Sequence, residues 1–168
     1  MAVAARLMGS ATAGSTSIAV SSTRAASAAK LDAFLDEVLE DEGWLPPCFA
    51  VISPTMRCNL RCEGCYANSG AHKEKLSWPV FERIVGEAHR EWGTRFFVIS
   101  GGEPLAYRDE GKGVLDLAER FPDCFFVMYT NGTLIDDEVA RRMGKLGNLS
   151  PALSVEGMRD TTDARRGT

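Results

Sequence analysis

Two hydrophobic periods divide the chain. Leu31, Phe34, Leu35, Val38 and Leu39 recur at helical spacing, with Asp32, Asp36, Glu37, Glu40 and Asp41 on the other side. This predicts an amphipathic helix with a structural role, opened by Ser27 and closed by Gly43 and Pro46-Pro47. From residue 49 short apolar runs take over, at 49–53, 95–100, 124–130 and 152–155, rich in Val, Ile and Phe and bounded by Pro, Gly or Asn. Between these predicted strands lie helical stretches. One runs over 77–92, with Phe81, Ile84, Val85 and Ala88 on one face and Gly93 as its stop; a weaker one covers 114–120. A third follows an Asp136 cap, carries Val139, Met143 and Leu146, and ends at Gly147, while a last one is barely begun over 160–168. Alternation of strand and helix predicts a parallel α/β fold.

Residues 1–30 show neither period. They hold ten Ala, six Ser and three Thr, with no aromatic residue, and predict a leader without packed structure. The basic, Ser-rich, acid-poor composition also fits an organelle transit peptide. The organisation expected is therefore a disordered leader at 1–30, a helix and linker at 31–48, and a core domain at 49–168. That core has 120 residues, about four strand-helix units. An eight-unit barrel takes about 250 residues and a six-unit one roughly 190 by the same scaling. The expectation is a partial (β/α)6 TIM-like barrel, incomplete at its C-terminus, from a longer enzyme.

Formal net charge is -4, and Arg6, Arg24 and Lys30 stand in the first 30 residues without an acid, so the remainder sums to -7. An acidic body argues against non-specific nucleic-acid binding. No apolar run approaches the roughly 18 residues of a membrane span, so no membrane partner is expected. The five cysteines are 48, 58, 62, 65 and 124, three of them within eight positions. That is a poor disulfide framework; it points to metal or redox chemistry in a reducing compartment, the cytoplasm.

The three crowded thiols stand in Cys58-Asn59-Leu60-Arg61-Cys62-Glu63-Gly64-Cys65-Tyr66, just after the first predicted strand. A four-iron cluster held by three thiolates keeps one iron open to another ligand. The later strands lead into Gly101-Gly102-Glu103-Pro104, Thr130-Asn131-Gly132 and Ser154-Val155-Glu156-Gly157. Parallel α/β folds bind ligands at these carboxyl ends, so four signals converge on one face. The competing reading of the thiols is a structural zinc site in a non-catalytic interaction module. It needs a fourth ligand, for which His72 is near in sequence and Cys48 stands at the wrong end of the strand. Gly101-Gly102 and Asn131-Gly132 read alone as turns. Cys48 and Cys124 read as small buried apolar groups, His89 as a surface residue, and Trp44, Trp78 and Trp92 as packing groups.

Taken together, the triad and the Gly-Gly-Glu-Pro stretch resemble the radical S-adenosylmethionine enzyme superfamily. The resemblance covers 49–168 and implies a 4Fe-4S cluster on Cys58, Cys62 and Cys65, with S-adenosylmethionine on the open iron. Reductive cleavage would release a 5'-deoxyadenosyl radical that takes hydrogen from an unknown substrate. Gly101, Gly102, Glu103 and Pro104 match the motif that contacts the methionine amino group, the glycines by close backbone approach and Glu103 by offsetting positive charge. Ser154 and Glu156 are implied ribose or methionyl contacts, and Asn131 a cofactor contact. An arginine after strand four pairs with the methionyl carboxylate in related enzymes; Arg166 is the choice here, with Arg165 beside it. Members often carry an aromatic residue before the last cysteine, near the adenine, where this chain has Gly64, with Tyr66 two positions later. The implied partner is a one-electron donor such as ferredoxin or flavodoxin. A truncated pseudo-enzyme that holds the cluster without turning over is the remaining alternative.

Overall fold

The computed structural model describes residues 29, 30, 33, 36, 37, 39–41, 43, 45, 47–69 and 73–167. The leader up to residue 28, with its Ser27 cap, lies outside the described residues, as do Leu31, Phe34, Leu35, Val38, Trp44 and His72. The chain divides into two compact units, Met1–Leu45 and Pro46–Thr168. In the first, the described residues from 29 to 41 are helical, and the Gly43 N–H closes on the Leu39 carbonyl at 3.0 Å.

The second unit alternates as its sequence predicts. Strand β1 (Phe49–Ile52) is followed by α1 (Trp78–Trp92), β2 (Phe96–Ile99) by α2 (Val114–Arg120), β3 (Phe125–Thr130) by α3 (Asp137–Leu146), and β4 (Leu149–Leu153) by α4 (Arg159–Arg166). All three pairings are parallel and the order is β1-β2-β3-β4. Each strand thus joins beside its predecessor, the order of a barrel segment, and every carboxyl end reaches the same rim.

The pleat sorts the strand residues. Ile52, Phe97, Ile99, Phe126 and Met128 share the face that packs on Phe81, Val85 and Ala88 of α1 and on Val114, Leu117 and Ala118 of α2. Phe97 stacks on Phe126 with ring centroids 5.5 Å apart. Burying one such side chain contributes about 1.5–3 kcal/mol, so this face holds the unit together. The other face keeps Phe49, Val51, Phe125 and Tyr129 exposed. No helix among the described residues is long and apolar enough to cross a membrane.

Helix ends follow local chemistry where the sequence supplies it. Asp136 accepts the N–H groups of Glu138 and Val139, and Gly147 closes α3 at φ 69°. Helix α1 differs: Ser77 makes no side-chain cap, and the Trp78 N–H donates to Asp109, 31 residues on, at 2.6 Å.

Several expectations are corrected. Strand β4 occupies Leu149–Leu153 rather than 152–155 and includes Pro151. Proline lacks an N–H and reads as a strand breaker, yet β4 is the outer strand of the described sheet, where the missing donor leaves no ladder bond open. The last helix is a full Arg159–Arg166 segment ended by Gly167 at φ 71°. Cys48 is exposed, whereas Cys124 is buried as expected. Ile84 and Trp92 reach solvent despite their apolar character, while Trp78 is buried. His89 is not a free surface residue, since its side chain is only 18% exposed and Nε2 lies 3.0 Å from Asp123.

Candidate functional site

Residues 53–69 contain no helix or strand; an isolated antiparallel bridge pairs Thr55 with Lys75. The segment is held by its backbone. Met56 N–H donates to Glu74 O and Leu76 N–H to Pro54 O, both at 2.8 Å. Gly102 N–H reaches Thr55 O at 2.8 Å and Glu103 N–H reaches Arg57 O at 2.9 Å, which clamps the loop on the end of β2. At its far end Glu63 N–H donates to Arg165 O, on α4, at 3.0 Å.

That clamp explains the glycines differently from the sequence reading. A Cβ on Gly101 would lie 2.5 Å from Thr55 O, and one on Gly102 would lie 2.2 Å from Arg57 O. The space a side chain would need is filled by the backbone that leads into Cys58. The glycines are thus required to seat the loop, whatever they do for a ligand.

Glu103 departs from expectation in a similar way. It is 1% exposed. Its carboxylate accepts from Leu105 N–H at 3.0 Å, Thr130 Oγ1 at 2.7 Å and Asn131 N–H at 2.9 Å. The group expected to offset a ligand's charge ties the end of β2 to the end of β3. Asn131, so positioned, bonds Asn59 Oδ1 at 3.0 Å and places Nδ2 3.9 Å from Cys58 Sγ. Its own Oδ1 accepts from Thr133, closing the turn that the Asn-Gly pair predicts.

These contacts surround a cavity of about 80 Å³ lined by Cys58, Cys62, Cys65, Gly101, Gly102, Glu103, Asn131, Ser154 and Arg166. Nine of the twelve residues singled out from the sequence therefore share one wall. Pro104 instead starts a buried 3-10 turn, Pro104–Ala106. Tyr66 is 81% exposed, and its hydroxyl bonds Ser100 Oγ and receives the Gly101 N–H at 3.3 Å. Glu156 accepts from Arg166 Nη2. Thr130 of the Thr-Asn-Gly stretch also lines the cavity, as do Ser69 and Ser100, which the sequence did not single out, and Asn59 braces Asn131. Asn59 inside the cysteine run and Thr130 before Asn-Gly were the available signals.

Arg166 and Arg165 separate cleanly. Arg166 faces the cavity with Nη1 3.8 Å from Cys62 Sγ, and its Nε is buried without a partner. Arg165 lies on the outside of the loop, near Gly64.

The thiols differ electrostatically. Burial pushes the Cys58 thiol above its ordinary pKa, against the Leu60 N–H that donates to its sulfur at 3.4 Å. Burial also acts to raise Cys65, but hydrogen bonds from Ser69, Ala67 and Asn68 outweigh it and hold that thiol below the usual value. N–H donors beside sulfur favour the thiolate, the form that ligates metal.

Three thiols on one loop are a donor set that a cluster could use. The three sulfurs are not all within 4.8 Å of one another. A tetrahedral zinc with Zn–S of about 2.3 Å needs sulfurs roughly 3.8 Å apart, whereas a cluster distributes its thiolates over separate irons. Cys48, exposed at the foot of β1, supplies no fourth ligand. A tighter group elsewhere, His89, Asp123 and Cys124, has its ligand atoms within 4.8 Å. Arg95 Nη1 already lies 2.7 Å from the Asp123 oxygen that His89 contacts, so this group is an ion-paired cluster.

Comparisons with known proteins agree with this geometry. Residues 52–168 match the Radical SAM superfamily. The chain is 33% identical over 115 residues to the Fe-coproporphyrin III synthase of Methanosarcina barkeri, covering 67% of this chain and 28% of that protein. It is 30% identical over 142 residues to the sporulation killing factor maturation protein SkfB of Bacillus subtilis, covering 81% of this chain and 33% of that one. The crystal structure of Streptococcus suis SuiB bound to S-adenosylmethionine shares the fold at a TM-score of 0.63 and 21% identity, over 82% of this chain and 32% of SuiB. The chain spans about a third of the length of the relatives it matches. With the match running from the last residue of β1 through α4, and with the cysteine cavity at the rim that the match covers, the chain belongs to the radical SAM superfamily.

Proposed function

We propose that Cys58, Cys62 and Cys65 hold a 4Fe-4S cluster whose open iron takes S-adenosylmethionine, making the chain the catalytic core of a hydrogen-abstracting radical enzyme. The observation that carries this reading is the convergence of three thiols, Asn131 and Arg166 on one cavity at the carboxyl rim. Bound and reduced, the cluster would supply the electron that cleaves S-adenosylmethionine to methionine and a 5'-deoxyadenosyl radical.

The chain's own residues have definite parts in this reading. Arg166 offers its guanidinium to the methionyl carboxylate, with Glu156 fixing the orientation of that guanidinium. Its buried Nε, without a protein acceptor, is the position where a carboxylate oxygen is expected. Gly101 and Gly102 bring backbone to the methionyl amino group, Ser154 presents a hydroxyl to the same cavity, and Glu103 keeps the ends of β2 and β3 in register beneath it. Tyr66, anchored by Ser100, is left beside the rim as an adenine contact. We infer a reducing compartment such as the cytoplasm, the environment in which thiols of this kind stay unpaired.

Anaerobic reconstitution with iron and sulfide tests the reading. The expected result is about four irons and as many acid-labile sulfides per chain, with 5'-deoxyadenosine formed after reduction in the presence of S-adenosylmethionine. A variant with Cys58, Cys62 and Cys65 all changed to Ala that keeps the same iron content would refute it. One zinc per chain and no sulfide would assign the site to a structural ion.

A further inference from the structure

Among the described residues two side-chain donors reach the cysteine sulfurs from outside the loop: Arg166 Nη1, 3.8 Å from Cys62, and Asn131 Nδ2, 3.9 Å from Cys58. The donors to Cys65, by contrast, come from its own loop, from Ala67, Asn68 and Ser69. Arg166 is charged and keeps an orphaned Nε, whereas Asn131 is neutral and fully engaged. Its backbone N–H donates to the buried Glu103 at 2.9 Å, and its Oδ1 accepts from both the N–H and the hydroxyl of Thr133, at 2.9 and 2.7 Å. A carboxamide offers two lone pairs on oxygen and two hydrogens on nitrogen. With Thr133 occupying the oxygen, Nδ2 is the end that faces Asn59 Oδ1, 3.0 Å away, and its second hydrogen is left for Cys58. Asn59 closes the ring by donating to Thr133 Oγ1 at 2.8 Å. The network therefore decides which end of the amide meets the sulfur, and it leaves no polar atom of that amide for a ligand. Cys58 itself borders two spaces, the cysteine cavity and a larger neighbouring cleft of about 770 Å³ with Arg57, Lys73, Lys75 and Arg108 in its lining. The Asn131–Asn59 bond joins a residue of the first space to one of the second.

We propose that Asn131 is a redox-tuning residue: its side-chain amide donates to the Cys58 sulfur and sets the potential at which a cluster on that sulfur accepts an electron. The inference rests on the cluster reading above and gives Asn131 its part in it. A cluster that gains an electron places more negative charge on its ligand sulfurs, so an N–H held at the sulfur stabilises the reduced form more than the oxidised one. The donor raises the reduction potential. Because Thr133, Asn59 and Glu103 hold the amide, it is oriented before the electron arrives and need not reorganise when it does. The Leu60 N–H, 3.4 Å from the same sulfur, acts in the same direction, but it is loop backbone that a side-chain substitution leaves in place. Asn131 is the donor to Cys58 that a substitution can remove.

The test uses the reconstituted 168-residue chain, titrated potentiometrically with dithionite while the reduced cluster is followed by electron paramagnetic resonance. Asn131→Leu keeps the size of the side chain and removes the donor, whereas Thr133→Val loosens the same ring and leaves the donor in place. In Asn131→Leu the equilibrium constant for one-electron reduction should fall about fivefold to tenfold, a midpoint lowered by about 40–60 mV at about 59 mV per tenfold. In Thr133→Val that constant should change less than about twofold, since the amide still reaches the sulfur. An unchanged midpoint in Asn131→Leu overturns the proposal. So does an equal fall in both variants, which would assign the shift to loop geometry. A readout that needs no variant is pulsed resonance of the unaltered reduced chain, grown with asparagine isotopically labelled at its side-chain nitrogen. Coupling of the cluster to that nitrogen supports the proposal even where Asn131→Leu fails to hold iron, and its absence overturns the proposal. An unaltered chain that takes up iron and sulfide but shows neither coupling nor shift overturns this inference alone. One that takes up no sulfide overturns the cluster reading, and this inference with it.

Discussion

The two rims of the sheet both collect polar and charged groups, and they treat them in opposite ways. At the amino rim Asp123 takes Arg95 and His89, the Asn148 amide donates to the carbonyls of Ala118, Phe121 and Cys124, and Thr94 Oγ1 bonds Pro47 O. Two atoms there, His89 Nδ1 and Asn148 Oδ1, lack partners, but carboxylate and guanidinium answer each other. At the carboxyl rim three thiols share a cavity with an arginine whose Nε is orphaned, and the side chains of Arg57 and Lys73, in the neighbouring cleft, make no hydrogen bond or ion pair among the described residues. A closed polar cluster stabilises the fold. The carboxyl-rim group, kept in shape by Glu103 and the glycines, is the one to which the proposed function assigns a ligand.

This contrast can be broken in graded steps. The largest effect is expected from Cys62→Ala, which should reduce reconstituted iron from about four per chain to near zero, measured by metal analysis. Because Cys62 is only half-buried, the same change should move the urea-derived stability by less than about 1 kcal/mol. Gly102→Ala should do the converse. Its methyl group would meet Arg57 O, so unfolding in urea should show a loss of about 3 kcal/mol and the loop should retain cluster poorly.

Glu103→Gln comes next. The amide would turn an N–H₂ toward the Leu105, Thr130 or Asn131 donors, and about 2 kcal/mol should be lost. At the amino rim, Asn148→Ala should cost about 1–2 kcal/mol by removing the amide that bridges the carbonyls of Ala118, Phe121 and Cys124, with iron content unchanged.

The smallest effect belongs to Asp123. The Arg95 hydrogen bond holds its carboxyl below the usual range. At Asp116 burial pushes upward, but the bonds from Arg142 and the Gly113 N–H prevail, and Asp109 is lowered chiefly by Lys75. A lowered folded-state pKa adds stability above the unfolded value and loses it as pH falls toward the folded one. The urea midpoint should therefore decline below about pH 4, and Asp123→Asn should flatten part of that decline while changing little at pH 7. Salt should shrink the difference further, as for any exposed pair.

Much of the frame was legible because it rests on short-range chemistry. Helices α2 and α3 fall where their periodicity and the Asp136 and Gly147 caps predict, and β1 to β3 lie within a residue or so of the apolar runs. Strand β4 was misread because Pro151 looks like a boundary until its outer position in the sheet is known. The α1 start was read from Ser77, whereas Asp109 does the capping from 31 residues away. Arg166 was chosen over Arg165 by resemblance; only their different contacts, Arg166 beside Cys62 and Arg165 beside Gly64, distinguish them.

By itself the sequence determined the strand-helix alternation, the cysteine spacing, and hence the rim on which chemistry collects. These depend on side-chain periodicity and on neighbours a few residues apart, which the chain order states directly. Tertiary structure decided what each signal is for. Gly101 and Gly102 make room for Thr55 and Arg57, and Glu103 joins two strand ends 27 and 28 residues apart. Cys58 divides a thiol-lined cavity from a basic cleft. Packing and hydrogen bonding across such separations depend on which backbones the fold brings together, and no local pattern in the sequence encodes that.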